Sequence, residues 1–350
     1  MLIASVAGAG AFMTAAAQPA QAELEVIASI KPLHSLVAGV MEGVDEPHLL
    51  VDGGESPHTY SLTPSEAARL ERADLVVWIG RDLESFLDRP LDALVREDRV
   101  LRLDEVEGLR LLEARLGGGW EEHAHDHGHD HDHGHDDHAH DDHAHDDHGH
   151  DDHAHDEHAH DDHGHDDHGH DDHGHAHSKD MHLWLDPENA KVIVQAVAER
   201  MSGMDPDNAE TYAANAASLQ ARIDEVDQEV AEMLEPVADR PYIVFHDAYQ
   251  YFERHYGLNA VGSITVSPER QPGAQRLNEM RNRITEDGAV CVFREPQFTP
   301  ALVETVTDGT PARTGVLDPL GADLQSGVNA YPQLLRNLAE SLEACLSEAS

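Results

Sequence analysis

The 350-residue chain predicts an α/β protein made of two α/β lobes with mainly parallel sheets and one long helix between them. Two observations predict this class. Short buried-strand patterns alternate with amphipathic helix patterns in both halves, which is the signature of parallel sheets covered on both faces. Residues 205–237, "DPDNAETYAANAASLQARIDEVDQEVAEMLEPV", are rich in Ala, Leu, Glu and Gln and hold no Gly or Pro before Pro236, so they read as one unusually long helix. A helix between two α/β units is a candidate rigid connector; otherwise it is one long surface helix.

The elements follow in order. Residues 1–22, "MLIASVAGAGAFMTAAAQPAQA", are an apolar stretch of signal-peptide length, with small residues before Glu23. The stretch is short for a membrane span and lacks a positive leading region. The competing reading, a buried first helix, suffers from the absence of any polar face. Export to the periplasm is the expectation. The first lobe, 23–204, opens with the strand "LEVIAS" and a helix through "SLVAGVMEG", then the strand "EPHLLVDG". Thr63-Pro64-x-Glu66 is a helix opening with proline in the first turn. The strand "DLVVWIG", the helix "ESFLDRPLDALV", the strand "RVLRLDEV" and the helix "DPENAKVIVQAVAERMSGMD" complete the lobe. After the connector, the second lobe, 238–350, repeats the alternation. Its strands are "PYIVFHD", "NAVGSITV", "AVCVFRE" and "ARTGVLDPLG", and it closes on the helix "NAYPQLLRNLAESLEACL".

The formal net charge of −46 excludes most partners that present phosphate, whether nucleic acid or an anionic membrane surface. Much of that charge is local. Between residues 121 and 177 lie 21 of the 69 acidic residues and 24 of the 30 histidines, without a single Lys or Arg. The unit His-(Ala/Gly)-His-Asp-Asp recurs every five residues. With no apolar side chain larger than Ala, residues 121–178 cannot offset ordering entropy by burial and read as a disordered insertion in the first lobe. Its His-x-His pairs, such as His123, His125, His127 and His129 at one end and His173, His175 and His177 at the other, suit many weak, exchangeable metal contacts. A solvated acidic spacer is the plainer alternative.

Two cysteines are present, Cys291 and Cys345. Neither lies near the N-terminus, so neither suits a lipid anchor of the bacterial lipoprotein type. In an exported protein an isolated pair suits one disulfide; two free core thiols or a thiolate metal pair are the alternatives. No G-x-G-x-x-G, G-x-x-x-x-G-K-[ST], G-x-S-x-G or H-E-x-x-H is found, so the usual nucleotide, hydrolase and metalloprotease readings lack their residues.

Outside the insertion stand six histidines, and three share a context. His58 lies in a Gly/Pro loop between strand and helix, His182 in "MHLWLDP" enters a helix, and His246 ends the strand "YIVFH". Ligands of parallel α/β sheets bind at strand C-termini. Three imidazoles delivered there from separate strands suit a borderline-soft divalent ion. Asp318 in "GVLDPLG", Glu55 or a water completes the set. Asp247 and Glu295 are candidates to hold the far ring nitrogens. His34 falls near a helix start and suits a supporting role, whereas His48 and His255 read as surface or packing residues.

"ESPHTYSLTPSEAARLERADLVVWIG", "MHLWLDPENA", "FHDAYQYFERHYGL", "SPERQPGAQRL", "CVFREPQF" and "TGVLDPLGADL" resemble the zinc-binding periplasmic solute-binding proteins of ABC importers. The resemblance covers essentially the whole mature chain. It implies a metal site in a cleft between the lobes, a long rigid connecting helix, small rather than wide lobe motions, and an acidic His-rich loop before the second ligand. It places the three ligand histidines on His58, His182 and His246, a less uniform aspartate on Asp318, and a disulfide on Cys291 and Cys345. Manganese and iron relatives carry a carboxylate at the third position, where this chain has His246; zinc is therefore the expected cargo. The implied partners are the membrane permease and ATPase subunits of a zinc importer, served by a monomer without enzymatic activity. Two other readings compete: a zinc hydrolase with Glu55 as base, and a zinc store dominated by the insertion.

Overall fold

A computed structural model describes residues 24–115, 178–269 and 271–347. The expected signal segment and all seven histidines named in the insertion lie outside the described residues. In the first lobe β1 (Val26–Ile30) and β3 (Leu75–Trp78) are buried at every position, as strands covered on both faces must be. β2 (His48–Val51) pairs with β1 and β4 (Val100–Arg102) with β3, all parallel, in the order β2-β1-β3-β4. The helices are α1 (Lys31–Met41), α2 (Pro64–Arg72), α3 (Ser85–Leu94) and α4 (Pro187–Met204). α2 starts as its sequence predicts: Thr63 and Glu66 form a reciprocal capping box around Pro64. Asp186 caps α4 with a single bond, its side chain accepting from the Glu188 N–H just after Pro187.

α5 (Ala209–Leu234) is the long helix, about 39 Å at 1.5 Å per residue, with single 3₁₀ turns at either end. Tyr212, Ala216, Leu219, Ile223, Val226, Val230 and Leu234 are buried at spacings of three or four, a single apolar stripe. That stripe packs against α1, α4 and the last helix of the chain, so α5 is embedded along one side and is not a free surface helix.

The second lobe repeats the first lobe's topology. β5 (Tyr242–His246), β6 (Ala260–Thr265), β7 (Cys291–Arg294) and β8 (Arg313–Val316) form a parallel sheet in the order β6-β5-β7-β8. Its helices are α6 (Gln250–Tyr256), α7 (Ala274–Glu286), α8 (Ala301–Thr307) and α9 (Ala330–Ser347). In both sheets the chain order reverses at the first strand, which puts a crevice at the C-terminal ends of β1 and β5. A disulfide joins Cys291 on β7 to Cys345 on α9, so the pair is neither free nor thiolate-ligating.

α9 packs on α5, α1 and β8, so the last helix lies across the first lobe. There the Tyr331 N–H donates to Ser35 Oγ and its hydroxyl to the Trp184 carbonyl, each at 2.8 Å. Lys31, buried where β1 meets α1, donates to the carbonyls of Ala322 and Leu324 at 3.1 and 2.9 Å and pairs with Asp52 at 2.9 Å. One hydrophobic core runs through both lobes, and a smaller one lies between the second sheet, α7 and α8. Among the described residues no helix is long and apolar enough to cross a membrane.

Candidate metal centre

Each histidine reaches the crevice by a different device. After β2 the chain turns at Asp52, whose side chain caps Gly53 N–H at 2.8 Å and whose carbonyl accepts from Glu55. Gly53 is required there because a Cβ would stand 3.0 Å from the backbone of Ala322 in the second lobe. The Tyr60 hydroxyl donates to Glu66 on α2 at 2.7 Å, so His58 is held between two anchored ends.

His182 does not follow a strand, contrary to the sequence expectation. It leaves an isolated antiparallel bridge between Glu113 and Lys179, reinforced by Ala114 N–H to Ser178 O and Asp180 N–H to Leu112 O. The Tyr251 hydroxyl donates to the Asp180 carbonyl at 2.7 Å and accepts from Leu112 N–H at 3.0 Å, tying this bridge to α6. One 3₁₀ turn (Leu183–Leu185) then leads into α4. His246 alone sits on a strand terminus, the last residue of β5, with Glu295 just beyond the neighbouring β7.

The three rings converge through their Nε2 atoms. His182 Nε2 lies 3.3 Å from His58 Nε2 and 3.3 Å from His246 Nε2. Every Nδ1 faces a carboxylate instead: His182 meets Asp180 at 2.8 Å, His246 meets Glu295 at 2.7 Å, and His58 meets Glu269 at 3.4 Å. An ionised carboxylate only accepts, so each Nδ1 carries the proton and each Nε2 turns a lone pair inward. Three lone pairs turned toward one another at this separation suit a shared cation. A tetrahedral ion with metal–nitrogen bonds of about 2.0–2.1 Å spaces its ligands about 3.3–3.4 Å apart, the separation His182 Nε2 keeps from each of the other two. Among the described residues these are the histidine, cysteine or acidic side chains grouped tightly enough to hold a metal.

Protonation favours the same chemistry at His182. Burial, with two imidazoles close by, holds His182 well below the ordinary histidine range, so it stays a neutral donor. Burial also pushes His246 down, but Glu295 against its Nδ1 outweighs this and the net shift is upward. Burial raises Asp180 to about 6, opposed by the His182 backbone N–H that its carboxylate accepts. The cavity beside the rings is about 10 Å³, room for one small group, and is walled by Pro57, Trp184, Phe298, Pro319 and Leu320. Trp184 closes it from across the lobes, donating its indole N–H to the Pro319 carbonyl at 2.9 Å.

The other sequence candidates separate. Glu55 is exposed and off the cavity wall. The Asp318 carboxylate is taken up as a turn cap, accepting from Leu320, Gly321 and Ala322 N–H groups and from Gln297 Nε2 at 2.8 Å. Glu295 holds a ring nitrogen as expected. Asp247 instead pairs with Arg115, at 2.9 and 3.0 Å from its Nε, and Arg115 also reaches Glu253 at 2.8 Å. His34 bonds the Pro47 carbonyl, away from the centre. Asp180 and Glu269 went unread, although the spacing Asp180-x-His182 was a usable signal for the first.

The family described as "ZnuA: Zinc-uptake complex component A periplasmic" matches residues 26–345. The high-affinity zinc uptake system protein ZnuA of Brucella suis is 51% identical over 323 residues, 92% of either chain. Its namesake from Haemophilus ducreyi is 38% identical over 327 residues, 93% of this chain and 94% of that one. The crystal structure of a ZnuA superposes with a TM-score of 0.67 at 23% identity, covering 93% of this chain and 99% of that one, a likeness of fold. By sequence match along nearly its whole folded length, the chain belongs to the ZnuA family of periplasmic zinc-uptake components.

Proposed function

We propose that this protein is a high-affinity zinc receptor that captures Zn²⁺ in the periplasm and passes it to the permease and ATPase subunits of an ABC importer. Zinc is the cargo. The observation that carries the reading is the convergence of three inward Nε2 lone pairs, each backed by a carboxylate on Nδ1. His58, His182 and His246 supply three ligands and leave one position open, the arrangement of a site that must also release its ion, unlike a closed structural site. An all-imidazole set favours zinc over manganese, which prefers oxygen donors. The hydrolase alternative loses support, because Glu55, the base suggested for it, is off the cavity wall. The relatives' names point the same way: the Brucella suis and Haemophilus ducreyi proteins are called high-affinity zinc uptake proteins.

The insertion has its own reading as an auxiliary collector. Its 24 histidines and interspersed acids suit the accumulation of cations at many weak contacts. Zinc calorimetry on two variants tests both roles. Removing residues 121–177 is expected to leave one tight site and abolish the weaker ones. His182→Ala in the full chain is expected to lose the tight site and keep the weak ones. Tight binding that vanishes with the insertion and survives His182→Ala would overturn the assignment.

A further inference from the structure

We propose that Gln297 is the residue that receives the fourth ligand of the metal, a water, through its side-chain carbonyl; this rests on the zinc-receptor reading above. Gln297 lies two residues beyond Glu295 and forms part of the wall of the histidine cavity. Its amide nitrogen is committed to two acceptors from different lobes, the Gly53 carbonyl at 2.7 Å and Asp318 Oδ1 at 2.8 Å. Both can only accept, so they fix which end of the amide is nitrogen and which is oxygen. Oε1 is left sealed from solvent with no hydrogen-bond partner. A buried carbonyl without a partner costs stability, and such groups persist where a ligand satisfies them.

The remaining wall leaves few rivals for this role. Asp180 and Glu295 face the Nδ1 atoms, the Asp318 oxygens accept from the 320–322 turn and from Gln297 itself, and Glu55 is outside. The other members of the wall are largely apolar. The cavity holds about one small group. A water that completes a three-histidine site has both protons to donate, and Gln297, whose Oε1 is buried without a partner, is one of the residues of that wall. The bridge from Gly53 through Gln297 to Asp318 also joins the loop that carries His58 to the second lobe. The carbonyl is thereby held by partners from both lobes.

The test uses full-length protein, at most one equivalent of zinc, and a competing chelator, so that the tightest site is read. Gln297→Met keeps the length and removes the acceptor; zinc affinity is expected to fall about tenfold, the lower end of what loss of a supporting hydrogen bond costs a metal site. The thermal midpoint of the metal-free protein is read alongside it. A crystal structure with one equivalent of zinc is expected to place a zinc-bound water within hydrogen-bond distance of Oε1. Wild-type affinity in Gln297→Met overturns the proposal. So does a zinc bound directly to Oε1 with no water. If His182→Ala leaves affinity unchanged as well, the zinc-receptor reading itself has failed; if His182→Ala abolishes binding while Gln297→Met does nothing, only the role of Gln297 has.

Discussion

Asp180 Oδ1 lies 2.8 Å from His182 Nδ1 and accepts the His182 backbone N–H at 3.0 Å, so one oxygen fixes both the ring and the chain that bears it. Asp180→Asn keeps the shape but can present an NH₂ where a carboxylate stood, which favours the tautomer with its proton on Nε2. Zinc affinity is expected to fall roughly 10- to 100-fold with little change in far-UV circular dichroism. Chelator competition measures it; undiminished affinity would show that the ring needs no such anchor.

Arg115 is the last described residue before the insertion, and it neutralises Asp247 and Glu253 together. Both acids are buried, and burial raises Glu253 to about 7 despite the nearby guanidinium. Arg115→Met strands two acids in the core and is expected to cost about 3–5 kcal/mol in urea unfolding at neutral pH. Lysine cannot span both carboxylates, so Arg115→Lys should recover only part of the loss. An unchanged midpoint would count against the network.

His255 on α6 joins three elements. Its Nε2 meets Asp227 of α5 at 2.7 Å and its Nδ1 faces Asp186, the cap of α4, at 3.4 Å. Burial lowers its pKa, but the two aspartates more than offset this and the net shift is upward. The bridge therefore contributes fully below the unfolded value of about 6.5 and is lost as pH rises through the higher folded value. The stability difference between wild type and His255→Gln is expected to be larger at about pH 5.5 than at about pH 8.5. A gap that widens with rising pH contradicts the assignment.

The disulfide pins α9 to the start of β7, while Glu295 stands beyond the other end of that strand. Replacing Cys291 and Cys345 by serine is expected to lower stability by about 2–5 kcal/mol. Zinc affinity of the folded fraction should stay within a few-fold, because no ligand or its carboxylate is attached to the bond. Loss of affinity at full folding would mean that the bond shapes the pocket directly.

Strands and helices were legible because both lobes carry continuous apolar runs or stripes at helical period, and Thr63-Pro64-x-Glu66 announces its own cap. The three histidines were legible from their place between elements and from family resemblance. Their supports were harder to read. Glu269 lies 211 positions from the ring it faces, and Asp180 sits beside a monotonous tract that masks it. Asp318 looked like a ligand because acidic residues after strands often are; only the fold reveals that the 320–322 turn consumes its oxygens.

The bridge at Glu113 and Lys179 has a consequence for how such a gene can change. Chain leaves the lobe at one post of this bridge and returns at the other, and His182 is fixed from the return post onward. Units of His-(Ala/Gly)-His-Asp-Asp can be gained or lost by slippage in a repetitive coding stretch without moving either post. Each doubling of a loop between fixed ends costs only about 0.6 kcal/mol of closure entropy. The number of histidines in the insertion is thus free to change across generations, while His182 and its carboxylate stay under separate selection.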